Sequence, residues 1–481
     1  MLAFPPTEHL GLDEYDKRIK EHHKELKDIP PSAWTATVDK KRVLDVLNPS
    51  VNSLAYLFAL LNNRDGNKSN KVFQEQLLER AVVFTTVFDQ KQIRYAGMQW
   101  RHLIEWMVDS FRKLGFRDLS PISAAMLRLD PTAGTFTTLH LLFLRTCLEQ
   151  GSPRQALPIL DKNLFAVPHG VVQNAPEILS DDELPSNAFM TKSSGFTLKV
   201  TLEYVLEYYL LGAQVYISLR KWSRARLFLE QVILTPSYAG NNCSAMQVEA
   251  YKKWVIVGLL AQGSTCPQPR TAEGAVMSSI RKLSRAYETL AEDFEKRDWL
   301  KFQADMDVGR SMWETDGNLR LVIEASDALL KYRVVDLQKT YAALPVSRVS
   351  QSLNFTADET FEMLISMIQV GHINASVATA ASGAPGAAVL SFHITNASKA
   401  NSAQQDEEVE AQTKRIEDII KAIRETDRQL QLSKEYVDVT KRNRKMGHET
   451  DPTDQMDLDY TGPTGGMPGG FEDGEEDLMV R

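Results

Sequence analysis

Apolar residues recur at three- and four-residue spacings through most of the first 325 positions, the period of helices that bury one face. Segments 74–87, 92–114, 135–149, 198–219 and 246–262 carry this pattern, separated by short breaks containing Gly, Pro or Asn. No alternating strand pattern is found before residue 370. Helices joined by short turns form antiparallel hairpins, and hairpins stacked in series form a solenoid. Two hairpins are explicit in the sequence. One breaks at Gln150-Gly151-Ser152-Pro153 and resumes with Ala156, Leu157 and Leu160. The other runs through Tyr208, Leu211, Gly212, Val215, Trp222, Ala225, Phe228 and Pro236, a spacing like that of a tetratricopeptide repeat. Small Gly212 and Ala225 permit close helix approach, with Phe228 filling the gap.

The rhythm fails over 165–197, where Pro168, Gly170, Pro176, Pro185 and Gly195 predict a long loop. It changes again after 326. A helix over 329–343 ends before Pro345, a short helix 346–353 follows, and Thr356 with Glu359 forms a capping box for a third. That third helix, 357–370, places Phe361, Leu364, Ile365 and Ile368 on one face, and Gly371 closes it. Strand-like segments 373–379 and 388–395 flank a Gly/Ala-rich turn at 380–387. Three helices and a hairpin in this order predict a winged helix. Residues 399–405 read as a polar linker, 406–441 as a long helix, and 447–481 as an acidic, Gly/Pro-rich tail with little to bury.

The predicted organisation is therefore mainly α. N-terminal helical repeats occupy 1–197 and TPR-like repeats 198–326. A winged helix follows at 327–395, a terminal helix at 406–441 and a disordered tail at 447–481. On the terminal helix, Val409, Ile416, Ile423, Leu430 and Val437 recur every seven residues, with Ile419 and Ile420 thickening the stripe. Such a helix cannot readily bury its stripe alone, and the second seam fades after Ile420. Packing in a bundle with other chains is the expectation, with folding back on its own chain as the alternative.

Composition narrows the function. The 481 residues are 43% hydrophobic and 25% charged, as in ordinary globular chains. A net charge of −8, from 55 basic and 63 acidic residues, argues against nucleic acid or an anionic membrane as the main partner. Between Arg348 and Lys399 there is no Lys or Arg, and the candidate recognition helix carries Asp358, Glu359 and Glu362, so phosphate would be repelled. The remaining use of a winged helix is protein contact at its exposed strand edge. Cys147, Cys243 and Cys266 lie far apart and form neither a disulfide framework nor a zinc motif, which suits a reducing compartment. No signal peptide and no apolar run of about 18 residues is present.

Nothing catalytic is found: no phosphate-binding loop, no HExxH helix, no GxSxG elbow and no His-x-His pair. His22-His23 reads as part of a solvated, highly charged face. His102, His140, Cys147, Trp100, Trp106, Trp254 and Trp299 read as packing residues. No cofactor and no metal site is expected. The run Lys441-Arg442-Asn443-Arg444-Lys445 fits a nuclear-import signal.

Leu353, Ala357, Glu359, Leu364, Met367, Ile368, Gly371, Ile373, Ala375, Val389 and Phe392 together resemble the signature of the PCI domain. That family is shared by the proteasome lid, the COP9 signalosome and a translation initiation factor. Within it, 209–236 and 330–377 look most like a signalosome member. The resemblance implies helical repeats running into a winged helix, winged helices associating edge to edge in an open ring, and terminal helices gathered in a bundle. It implies the first and eighth signalosome subunits as neighbours and cullin-RING ligases as partners through the complex. It also implies a location in cytoplasm and nucleus and no catalytic role, since the activity that removes Nedd8 resides in another subunit. On this reading Ile373, Ala375 and Val377 lie at the ring contact. Val409, Ile416, Ile419, Ile420, Ile423, Leu430 and Val437 face the bundle.

Overall fold

A computed structural model describes residues 4–5, 10–38, 41–66, 71–168, 178–182, 184–236, 243–378, 388–393, 399–432 and 434–445. The expected turn at 380–387 and the tail at 447–481 lie outside them. The chain forms two compact units, Met1–Ser402 and Ala403–Arg481.

The first unit is built of helices packed around one long apolar core that runs from Phe4 to Leu329. The helices Ser53–Gly66 and Gly97–Leu114 supply much of its first part, and Thr138–Glu149, Leu202–Ser218, Trp222–Leu234 and Ala245–Gln262 continue it as neighbours. The hairpin expected around Gly212 forms as the pair Leu202–Ser218 and Trp222–Leu234. A β-carbon on Gly212 would stand 2.7 Å from the Phe228 ring, so the absence of a side chain is what lets the two helices meet. The other explicit hairpin also forms. Its first helix ends at Glu149, Gly151 turns with φ 65°, and a 3-10 turn Pro153–Ala156 leads into Leu157–Leu160.

Three sequence expectations are answered here, the first and third as corrections. The first concerns 92–114, which is not one helix: Gln90–Ile93 and Gly97–Leu114 are separated at Arg94, Tyr95 and Ala96. The second is the loop at 165–197, expected as ordered or mobile: its described part is an ordered loop that packs as a strap, with one short helix at Ser186–Phe189. Arg94 donates to the carbonyls of Leu179 (3.0 Å) and Asp181 (2.5 Å) and stacks on Phe189. Phe189, Met190 and Phe196 are buried, and Gly195, at φ 85°, lies against the backbone of Met98. Proline and glycine broke the helical period without removing the apolar anchors. The third is the absence of strands before 370, because Thr37–Val38 (β1) pairs with Lys41–Arg42 (β2) and a further strand begins at Ala343.

That further strand completes the winged helix. After Leu319–Gln338 come β3 (Ala343–Pro345), helix Val346–Leu353, helix Ala357–Gln369, β4 (Ala375–Ala378) and β5 (Val389–Phe392). The sheet order is β3-β5-β4, antiparallel throughout. The capping box forms, with Thr356 Oγ1 accepting from the Glu359 amide and Glu359 accepting from the Thr356 amide, and Gly371 follows at φ 80°. The deepest positions of this third helix are Thr360, Leu364 and Met367, with Phe361, Ile365 and Ile368 only half-buried.

The module has a core of its own, including Val334, Val346, Val349, Leu364, Met367, Ile373 and Leu390. Helix Leu319–Gln338 belongs to both cores. It buries Val322, Ala325 and Leu329 in the repeats and Val334 in the winged helix. Arg297 braces this crossing, pairing with Asp336 at 2.8 Å and donating to the carbonyl of Gly263.

The described residues of the second unit are helical, in the helices Lys399–Leu432 and Lys434–Lys445, the first of which begins just before the unit does. The helix therefore starts before the expected 406, and residues 399–405 are helical rather than linker. Their Ala, Gln and Lys content has good intrinsic helix propensity despite its polarity.

Candidate assembly surfaces

The winged helix could present either of two sheet edges, and their chemistry differs. In an antiparallel ladder, alternate residues direct their N–H and C=O to the neighbouring strand and the rest direct theirs away. His393 N–H donates to Asn374 O at 2.8 Å, and β4–β5 pairs Ser376 with Ser391 and Ala378 with Val389 in the same phase. The backbone groups of Ala375 and Val377 consequently face the outer side of β4. On the other edge, Phe392 N–H donates to Ala342 O and Leu344 pairs with Leu390, leaving Ala343 and Pro345 outermost on β3. Pro345 has no N–H, which blunts that edge. Among the described residues the open edge is β4.

The side chains tell a second part of the story. Ile373 and Ala375 are buried in the module core and Val377 is half-buried. What these residues can offer a partner is backbone, with the side chains fixing the strand in place. Across the hairpin, His393 Nε2 and Ser376 Oγ lie 2.8 Å apart.

The third helix exposes Asp358, Glu359 and Glu362, and nothing on that face is basic. His372, in the following turn, has its pKa lowered by burial and then by Lys331, so it adds no ready positive charge. The surface a DNA-binding winged helix would use is anionic here.

On the terminal helix every stripe residue is described. Val409, Ile416, Ile419, Ile420, Ile423 and Leu430 are all exposed, and Val437 is half-buried. Ile416 is 58% and Ile423 54% exposed, far more than residues of their type in a packed helix. Leu432, Tyr436 and Val439 add exposed apolar surface near the helix end. They fall off the seven-residue repeat, so the repeat alone did not find them. Of Lys441–Lys445 the backbone continues the helix Lys434–Lys445.

The residues weighed for chemistry are packing residues. His22 and His23 are not solvated, contrary to expectation. His22 stacks on Phe4 at 5.3 Å and His23 meets Phe58 edge-on at 5.7 Å. Burial, chiefly, lowers the pKa of both, that of His23 to about 4. The charge of segment 15–27 hid this, because two histidines lie on the one helix face that carries Ile19 and Leu26. His140 is fully buried, and its Nδ1 accepts from the Thr137 amide at 3.2 Å and lies 2.9 Å from Thr137 Oγ1. Burial lowers its pKa to about 4. Cys147 is buried and its thiol is pushed up to about 12, which makes it inert as a nucleophile. Among the described residues no cluster of three or more His, Cys, Asp or Glu is placed to hold a metal, and no helix is long and apolar enough to cross a membrane.

Helical repeats that pass through one shared helix into a winged helix, followed by a helix with an uncovered apolar stripe, define a repeat-plus-winged-helix protein of the PCI type. Residues 16–276 match the model for the N-terminal helical repeats of COP9 signalosome complex subunit 3. The COP9 signalosome complex subunit 3 of Emericella nidulans is 31% identical over 97% of this chain and 94% of the relative. That of Neurospora crassa is 25% identical over all of this chain and 97% of the relative. The chain belongs to the COP9 signalosome subunit 3 family.

Proposed function

We propose that this chain is a non-catalytic scaffold subunit of the COP9 signalosome, the complex that removes Nedd8 from cullin-RING ubiquitin ligases. Its β4 edge would join the winged helix of a ring neighbour, the first and eighth subunits being the expected neighbours. Its terminal helix would enter the bundle formed by the terminal helices of the other subunits. Contact with cullin-RING ligases would come through the complex, with no cofactor, nucleic acid or membrane as a direct partner. The basic run 441–445 supports a distribution between cytoplasm and nucleus.

The observation that carries this reading is the pairing of two uncovered surfaces of different kinds. A strand edge whose outward groups are backbone suits β-augmentation, and a helix with an exposed apolar stripe suits a bundle. The packing of His22, His23, His140 and Cys147 in the core supports a role without catalysis. A nucleic-acid regulator is disfavoured by the acidic face of the third helix.

The test is recovery of the tagged chain from its native cells under mild conditions, with stoichiometric companions identified by mass spectrometry. Signalosome subunits, with cullins in lesser amount, are expected. Proteasome-lid or initiation-factor subunits would redirect the assignment within the PCI family. A lone chain, or one held on chromatin, would overturn it.

A further inference from the structure

The helix shared by the two cores leaves one face covered by neither. Residues 320, 323, 327, 331 and 335 recur at helical spacing along it and line a groove of about 700 Å³ between the repeats and the winged helix. Its apolar lining comes from Trp222, Leu260, Ile323 and Val335, and Ile323 is 42% exposed. The volume falls within the roughly 300–1,000 Å³ of binding pockets. Arg320, Ile323, Asp327 and His372 are all exposed, however, so the site is a surface trough suited to a polypeptide segment rather than an enclosed chamber.

Charge decides what kind of segment. Arg220 is neutralised by Glu324 at 2.7 Å. Arg320 and Lys331 form no ion pair among the described residues, and against them stands the single unpaired carboxylate of Asp327. On a chain of net charge −8, this trough is locally cationic. Arg320 and Lys331 are eleven residues apart, about 16 Å along the helix axis at 1.5 Å per residue. About five residues of extended chain span that distance.

We infer that this groove is the docking site for a segment of a partner subunit in which apolar residues are flanked by carboxylates about 16 Å apart. The apolar residues cover Ile323 and Trp222, and the carboxylates pair with Arg320 and Lys331. Charge at the two ends fixes the register of the segment, and apolar contact holds it between them. The inference rests on the assembly reading above, because it needs a partner chain.

The test places a photo-crosslinking residue at Ile323, and separately at Arg320, in the complete chain assembled with its partners. Crosslinked peptides are sequenced, and the segment they identify is synthesised and titrated against the free full chain. The expected result is one partner segment with carboxylates flanking apolar residues. Its affinity should fall at least tenfold in Arg320→Glu with Lys331→Glu, and at least fivefold in Ile323→Ser. Crosslinks that are absent in the intact complex, or that map to a basic segment, overturn the inference. So does an affinity indifferent to the charge reversal, or one matched by polyglutamate, which would reduce the groove to a generic anion surface. If the complex itself does not form with the unsubstituted chain, the assembly reading has failed instead.

Discussion

Replacing Ile416 and Ile423 together by aspartate separates a docking stripe from an internal one. Both side chains are more than half exposed in the chain by itself. Full burial of an exposed isoleucine contributes about 1.5–3 kcal/mol, so covering what remains exposed is worth about 1–1.5 kcal/mol for each. The double substitution removes that gain. It also places two carboxylates in an apolar seam, where an unpaired polar group costs about 1–3 kcal/mol and a charge more. The loss of association energy is then on the order of 5 kcal/mol, more than a thousandfold in Kd. The assay is co-expression with the other signalosome subunits and quantification of the chain in the assembled fraction. A thermal melt of the purified chain alone runs beside it. Incorporation should collapse while the melting temperature of the free chain stays within about 1 °C, since exposed substitutions change stability by only a few tenths of a kcal/mol. Unchanged incorporation would refute the docking role. A large fall in the melting temperature of the free chain would show that the stripe is packed internally.

Val377→Pro removes an outward N–H of β4 but none of the hydrogen bonds to β5, whereas Ser376→Pro breaks the ladder itself. Winged-helix association should be lost in both, with the module unfolded only in the second, as circular dichroism and limited proteolysis will distinguish. Gly212→Ala drives a β-carbon to within 2.7 Å of the Phe228 ring and should destabilise the repeats by about 1–3 kcal/mol in denaturant titrations, and a null effect would mean the helices can separate freely. His140 is neutral when folded because burial lowers its pKa to about 4, below the ordinary value of 6.5. Its contribution is therefore complete above about pH 6.5 and is lost progressively as pH falls toward 4, up to about 3 kcal/mol at 1.36 kcal/mol per pKa unit. Melts between pH 7 and 4.5 should show this loss, and it should become smaller in His140→Asn, the remainder belonging to His22 and His23, whose pKa values burial lowers as well.

The sequence made legible whatever depends on local periodicity and caps. The helix Val346–Leu353, the Thr356–Glu359 box and the Gly212–Phe228 contact are all fixed by residues within about twenty positions of one another. What it concealed depends on distant partners. Ala343–Pro345 has no strand period because it is three residues long, and only pairing with β5, more than forty residues on, makes it a strand. The strap holding Arg94 is the loop that its prolines and glycines predict, but its apolar anchors follow no period that would mark them as packed. Phe196 lies against Gly97 and Phe189 lies under Arg94, partners about a hundred residues away in the sequence. The charges beside His22 and His23 in the sequence point to solvent, although helical geometry turns the two rings toward Phe4 and Phe58. The apolar terminal stripe was legible because a seven-residue repeat along one helix needs no distant partner to be read.

The two proposed docking surfaces place different demands on the sequence. At the β4 edge the outward groups are the backbone of Ala375 and Val377, so a partner reads the path of the strand and not its side chains. Val377→Ile, at a half-buried position, keeps those groups where they are and should leave association nearly unchanged, while proline at Val377 abolishes it. The terminal helix offers a partner only side chains, because its backbone hydrogen bonds are used within the helix. Apolar identity at Ile416, Ile420 and Ile423 then carries its affinity, and even a single polar replacement such as Ile420→Ser should weaken bundle entry by about tenfold. An edge supplies orientation and tolerates substitution, and a stripe supplies affinity and does not. A chain carrying both can hold one neighbour in a fixed pose and several others tightly, which is the combination a scaffold subunit requires.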